Sequence, residues 1–89
     1  MRVRPQPGVG VAVLEDGRLE LTCADSGARF HCSAICTAMW IALYQQGGRP
    51  DDAAALLAEH WNLNPEYMRS DLILWIEELR HAGLLQVDA

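Results

Sequence analysis

The sequence predicts an α+β domain of the winged helix-turn-helix type, in which a three-stranded antiparallel sheet is followed by three helices (βββααα). Two observations indicate this order. The first third of the chain alternates apolar and polar residues and contains two tight-turn signals, whereas the rest carries apolar residues at helical spacing. The length of 89 residues allows a single domain over residues 1–89, and its helices must cover one face of the sheet.

Three segments are predicted to be strands: residues 9–14, 18–24 and 28–32. Glu15-Asp16-Gly17 separates the first two, and Asp25-Ser26-Gly27 separates the last two; both are strong turn signals. Tight turns make neighbouring strands antiparallel, so the first and third strands should be the edges of the sheet. The prolines and glycine of residues 5–8 predict an irregular segment before it.

The first two helices are predicted from their caps and apolar stripes. Ser33 should cap the first helix, and Gly47-Gly48 should end it. Its apolar stripe is Cys36, Met39, Trp40 and Leu43. Pro50-Asp51-Asp52 should open the second helix, because proline and acidic residues suit the first turn. Its inner face is predicted to be Ala53, Ala54, Leu57 and Trp61.

The third helix should begin at Asn64-Pro65 and close at Gly83. Its apolar stripe is Met68, Leu72, Trp75, Ile76 and Leu79. Ile73 and Leu74 widen the apolar surface beyond one stripe. Either the domain covers both faces itself, or a partner covers one of them. The residues after the helix, which include Leu84, Leu85 and Val87, are predicted to form a short extended tail.

Composition limits the possible functions and location. The net charge is −5 and there is no lysine, which argues against a nucleic-acid partner. No apolar run is long enough to span a bilayer, and the N-terminus has a strand pattern rather than that of a signal peptide, so a cytoplasmic protein is expected, without a membrane partner. The three cysteines are an odd number without a CxxC pair and should be free thiols.

Residue patterns for catalysis or metal binding are weak. The cysteines and histidines lack the paired spacing of a structural zinc site, and no phosphate-binding glycine loop is present, so neither metal nor cofactor is expected. His31 and Cys32 are adjacent, but neighbouring strand residues point to opposite faces, which disfavours a thiol-imidazole pair. We therefore expect no catalytic residues and a protein that is not an enzyme.

Peptide binding by strand addition is consistent with the predicted sheet. The third strand is an edge, and an extended peptide can pair with its free N–H and C=O groups. Phe30 should lie on one face of this strand, with Arg29 and His31 on the other. The alternative is an edge that its short length and these polar side chains protect from pairing.

In the order and spacing of several short segments, the sequence resembles the PqqD-like domains, which are leader-peptide recognition elements of ribosomal peptide natural-product pathways. The resemblance covers nearly the whole chain in the same βββααα order, and the matching segments lie in its helical part. They are Thr37-Ala38-Met39-Trp40, Gly48-Arg49-Pro50-Asp51-Asp52, Asn64-Pro65, Ser70-Asp71-Leu72, Trp75-Ile76-Glu77-Glu78-Leu79 and Ala82-Gly83-Leu84-Leu85. As a small acidic chain, it looks most like the stand-alone leader-binding protein of split lasso-peptide pathways.

The resemblance implies a site and partners. Members of the family bind the leader of a precursor peptide as an added strand between the third strand and the third helix. The leader typically carries a Tyr and a Pro that enter an apolar pocket, and Asp71 matches an acidic position that can pair with a basic leader residue. Carried over, the peptide-binding residues are Ala28, Arg29, Phe30, His31, Cys32, Met68, Asp71, Leu72, Trp75 and Glu78. The implied enzyme partners are a transglutaminase-like cysteine protease that removes the leader and an asparagine-synthetase-like cyclase.

Two other functions stay open from the sequence. A winged-helix DNA-binding or regulatory domain is compatible with the fold class, although Glu66, Asp71, Glu77 and Glu78 outnumber the arginines of the third helix. A structural subunit of a larger enzyme is the other alternative.

Overall fold

A computed structural model describes residues 1–88 of the chain, which form two antiparallel sheets and three helices. The elements are β1 (Arg2–Pro5), β2 (Val9–Val13), β3 (Leu19–Cys23), β4 (Arg29–His31), α1 (Ala34–Gln45), α2 (Pro50–Trp61), α3 (Pro65–His81) and β5 (Leu85–Asp88). The larger sheet has the strand order β2-β3-β4, and β1 pairs with β5. The three predicted strands are therefore β2, β3 and β4, and the predicted βββααα order is confirmed.

The β2-β3-β4 sheet has the register expected of two tight hairpins. Val11 lies opposite Leu21, and Leu21 lies opposite Phe30. The N–H of Cys23 donates to the carbonyl of Ala28 (2.9 Å), and the N–H of Cys32 donates to that of Leu19 (2.8 Å). Pairing between β3 and β4 thus extends over all of residues 28–32, the segment that the sequence predicts.

The helix caps agree with the sequence prediction. The Ser33 hydroxyl accepts a bond from the Cys36 N–H at 3.1 Å, and Asn64 Oδ1 accepts from the Glu66 N–H at 2.8 Å. Each bond satisfies one of the backbone donors that a helix start leaves free. Gly83 has φ +78°, the left-handed conformation predicted at the end of α3.

Trp61 departs from the prediction for α2. It was expected on the inner face, but its side chain is 39% exposed, and Ala58 completes that face instead. α2 ends at Trp61, and Asn62 then turns the chain in a left-handed conformation (φ +54°). The indole therefore lies at the margin of the core, where less of the molecule covers it.

A small β1-β5 sheet joins the two ends of the chain. Residues 6–8 are irregular as predicted, although Pro5 belongs to β1, and the predicted extended tail forms β5. Val3 lies opposite Val87, and Pro5 lies opposite Leu85. β1 also lies across the turn between α1 and α2, where the Val3 N–H donates to the Gly48 carbonyl at 2.7 Å. Gly48 is required here, because its φ is +82° and an added Cβ would collide with the Val3 carbonyl.

The core centres on α3, which packs mainly against α2 and also contacts β5. The predicted stripe of α3 is buried throughout, with Leu72 and Leu79 fully inaccessible. Leu21 of β3 is likewise fully buried and brings the sheet into the same apolar cluster. Phe30 of β4 packs against this cluster, so β4 and α3 contact the same apolar core.

Candidate peptide-binding site

The outer edge of β4 carries free main-chain groups. β4 pairs with β3 on one side, and no other strand within residues 1–88 pairs with its second side. Because residues 28 and 32 bond to β3, the alternation of an antiparallel ladder directs the N–H and C=O groups of Arg29 and His31 away from β3. The edge can therefore form main-chain hydrogen bonds to an added strand through these two residues.

The side chains of β4 divide between the two faces of the sheet as predicted. Phe30 is half-buried and packs against the core, whereas Arg29 and His31 are exposed on the outer face. Nε2 of His31 lies 2.6 Å from Oε2 of Glu20 on the neighbouring strand. Arg29 forms no ion pair with any residue of the described chain, while five other arginines do.

Ala28 and Cys32 lie at the two ends of this edge and differ in burial. Ala28 is exposed, whereas Cys32 is 1% exposed and belongs to the core. Burial, with a smaller contribution from nearby Cys36, raises the pKa of the Cys32 thiol to about 11. The thiol is therefore protonated at neutral pH, and it lies on the opposite sheet face from the His31 imidazole, so the two do not form a nucleophilic pair.

The five predicted residues of α3 separate into a buried and an exposed set. Met68, Leu72 and Trp75 are buried, at 4%, 0% and 4% exposure. Asp71 and Glu78 are exposed, and neither forms an ion pair within residues 1–88. Asp71 and Glu78 lie four residues before and three residues after Trp75, so these three residues share one flank of the helix.

The opposite flank of α3 faces α2. There Nε of Arg69 lies 2.5 Å from Oδ1 of Asp51 at the start of α2. Ile73, which lies beyond Arg69 on this side, is half-buried against the core. The flank that carries Asp71 and Glu78 is therefore the one that α2 leaves uncovered, and its carboxylates make it acidic.

Two further residues on the uncovered flank were not among the predicted binding residues. Tyr67 is 75% exposed and Leu74 is 71% exposed. With Asp71 and Glu78 they form a row at i, i+4, i+7 and i+11 along the helix. The helical spacing of these four residues can be read from the sequence, but the sequence analysis does not predict Tyr67 as a binding residue. An exposed tyrosine and leucine beside two carboxylates form an amphipathic surface.

A separate cleft lies between the β1-β5 sheet and the end of α1. Its volume is about 420 Å³, and its walls include Val3, Trp40, Tyr44 and Leu85. Arg2 and Arg4 also line it. It contains none of the residues predicted to bind peptide.

Two other features of residues 1–88 bear on function. No group of three or more His, Cys, Asp or Glu side chains there is arranged to hold a metal ion. None of the helices in this part of the chain combines the length and apolar character needed to cross a membrane.

Comparison of folds identifies two similar solved structures. One is a lasso peptide synthetase B1 complexed with the leader peptide; it has a TM-score of 0.82 and 18% identity, over 98% of this chain and 100% of that one. The fold is that of the lasso peptide synthetase B1 proteins. The other is TbiB1 in complex with the TbiA(beta) leader peptide, with a TM-score of 0.82 and 21% identity over 100% of this chain and 99% of that one.

The B1 fold confirms the predicted fold class and, at the level of structure, the resemblance to the PqqD-like recognition elements. No protein-family model and no curated protein matches the sequence. At such low identity the resemblance lies in the arrangement of the strands and helices.

Proposed function

We propose that this protein binds the leader segment of a ribosomally made precursor peptide and has no catalytic role of its own. The observation that carries this proposal is the open edge of β4 in a domain with the B1 fold. The two similar solved structures described above were each determined with a leader peptide bound. The β4 edge offers the main-chain groups that an extended peptide needs in order to bind as an added strand.

In the proposed complex, the leader lies antiparallel to β4 and between β4 and α3. The N–H and C=O groups of Arg29 and His31 pair with its backbone. Half-buried Phe30 supplies apolar surface beneath its inward side chains, and the buried Met68, Leu72 and Trp75 support that surface from the core. Ala28 and Cys32 mark the two ends of the paired segment.

Charge selects among extended peptides in this proposal. Asp71 and Glu78 have no cationic partner within residues 1–88, so a basic leader residue over α3 gains a new ion pair. Arg29 has no carboxylate partner in the same part of the chain and favours an acidic leader residue on the outer face of the sheet. Main-chain pairing supplies affinity for any extended segment, and these charges add selectivity.

The bound leader is then delivered to modifying enzymes in the cytoplasm. The proposed partners are a transglutaminase-like cysteine protease that cleaves the leader and an asparagine-synthetase-like cyclase.

Fluorescence anisotropy with labelled leader peptides tests the proposal. The peptides come from short precursor genes near the gene for this protein, and a scrambled peptide of the same composition is the control. We expect a Kd in the micromolar range or below for a true leader. A Kd no better than about 1 mM, equivalent to about −4 kcal/mol, for every such peptide would refute leader binding. A gel-shift assay at low salt tests the DNA-binding alternative on the same preparation.

A further inference from the structure

The indole of Trp75 has an unusual environment. Its side chain is 4% exposed, and Nε1 is the one buried side-chain nitrogen or oxygen atom of residues 1–88 that has no hydrogen-bond partner in the protein. Buried polar groups in folded proteins nearly always have a partner, because leaving one unpaired costs free energy. Nε1 itself has less than 1 Å² of accessible surface, so a ligand atom reaches this donor only when the side chains that cover it move aside.

The position of Trp75 on α3 relates it to the proposed site. Asp71 and Glu78, one turn before and one turn after it, are exposed on the flank that α2 leaves uncovered. Met68 and Leu72, on its other side, are buried in the core. Trp75 thus lies at the boundary between the core and the proposed wall of the peptide site.

A strand added to β4 has two hydrogen-bonding edges. Alternate residues direct their N–H and C=O groups toward Arg29 and His31, and the residues between them direct theirs the other way. In the proposed complex this second edge faces α3, so its carbonyls are desolvated when the leader enters. A carbonyl buried there needs a donor, and an indole N–H can donate but not accept.

We propose that the Trp75 Nε1–H donates a hydrogen bond to a main-chain carbonyl on the second edge of the bound leader. This inference rests on the proposed function and specifies the contact that Trp75, already one of the proposed binding residues, makes there. β4 and α3 then each contact one edge of the same peptide backbone. Because the contact is to the main chain, it is expected for any leader sequence that fits the site.

The first test is Trp75→Phe, which keeps most of the aromatic ring and removes the N–H. We expect Kd for the leader to rise roughly two- to tenfold, the range for one hydrogen bond. The free variant loses an unpaired buried donor, which offsets part of the cost of the cavity left by the smaller ring, so its melting temperature should change by only a few degrees. Trp61→Phe, at the partly exposed end of α2, is the matched control and should leave Kd unchanged. An unchanged Kd for Trp75→Phe would overturn the inference.

NMR gives a second readout that does not depend on the stability of the variant. The loss of one indole N–H signal in Trp75→Phe assigns that signal among the three tryptophans. On saturation with leader, the assigned signal of the wild type should move downfield and its hydrogen exchange should slow. If the wild type binds leader and this signal stays unmoved, the inference is wrong and the proposed function stands. If the wild type binds no leader, both fail.

Discussion

The β2-β3-β4 sheet has two open edges, and their chemistry differs. Main-chain bonds from Leu14 to Arg18 and from Ala24 to Gly8 direct the even-numbered residues of β2 toward β3. Val11 and Val13 therefore present their N–H and C=O groups outward, as Arg29 and His31 do on β4, whereas the Val9 N–H already donates to the Gln6 carbonyl at 3.2 Å. Both edges are able to accept a strand.

The surroundings of the two edges are different. Val11 and Val13 are 47% and 72% exposed, although they lie on the same sheet face as the buried Leu21 and Leu19. The apolar face of the sheet thus extends past the helices at β2. At β4 the edge is short and polar, and in the proposed site the uncovered flank of α3 adds carboxylates and apolar side chains. Free main-chain groups alone do not make a peptide site selective. Selectivity requires a neighbouring surface that contacts the side chains of the peptide.

Proline substitutions at the two edges test which one receives the leader. His31→Pro removes an outward N–H and places a ring where the incoming strand must lie, without removing a bond to β3. We expect Kd for the leader to rise at least a hundredfold, or about 2.7 kcal/mol. The measurement is fluorescence anisotropy, with circular dichroism to verify that the fold is retained.

Val11→Pro is the matched control, because it makes the same change at an outward-facing position of β2. It should change Kd less than twofold. If Val11→Pro weakens binding more than His31→Pro does, the leader pairs with β2 and the proposed site is wrong.

Alkaline pH tests how firmly β4 is anchored to the core. The pKa of the Cys32 thiol is raised from 9.0 to about 11, so between these pH values the unfolded chain ionises this thiol and the folded chain does not. The contribution of this thiol to the free energy of unfolding is fully present below pH 9. It falls as the pH rises toward 11, and near pH 10.5 the loss is about 2 kcal/mol. Urea unfolding of wild type and Cys32→Ala at pH 8 and pH 10.5 measures this loss. The variant should lose about 2 kcal/mol less than the wild type; equal losses would mean that β4 does not shield the thiol.

The helices and the β2-β3-β4 sheet could be predicted because their signals are local. Ser33, Asn64 and Gly83 have conformations or bonds that their residue types favour, and the α3 stripe repeats at helical spacing. The alternation in β3 and β4 likewise gives the faces of Leu21 and Phe30 directly. In these elements the local preference and the final packing agree.

The β1-β5 sheet could not be predicted because its pairing joins the two ends of the chain. Val3 and Val87 lie opposite each other although they are 84 positions apart in the sequence, and a short β1 that contains Pro5 has little strand signal of its own. Trp61 was assigned to the core because its spacing fits the α2 stripe, but spacing does not reveal how far the neighbouring elements extend. The orphaned Nε1 of Trp75 depends on three-dimensional packing and has no sequence signal.

The charge of the α3 flank has a smaller expected effect than the β4 edge. Asp71→Arg should raise Kd for a leader with a basic residue about three- to tenfold, because an attraction at the surface becomes a repulsion. The effect should shrink at high salt, and the melting temperature should change little because Asp71 is exposed. Glu59→Arg on α2 is the matched control, since Glu59 is exposed and also outside every ion pair of residues 1–88. Equal Kd values for Asp71→Arg and wild type would place Asp71 outside the site.

The smallest effect is expected at the edge that the leader does not use. Val13→Lys adds a charge to an exposed β2 position, and lysine is a common means of blocking edge-to-edge association. Stability should change by no more than about 0.5 kcal/mol, because the side chain is 72% exposed and has little packing to lose. Leader affinity should stay within twofold, while light scattering on heating should show a later onset of aggregation. A clear loss of leader affinity would mean that the exposed valines of β2, rather than the α3 flank, contact the peptide's side chains.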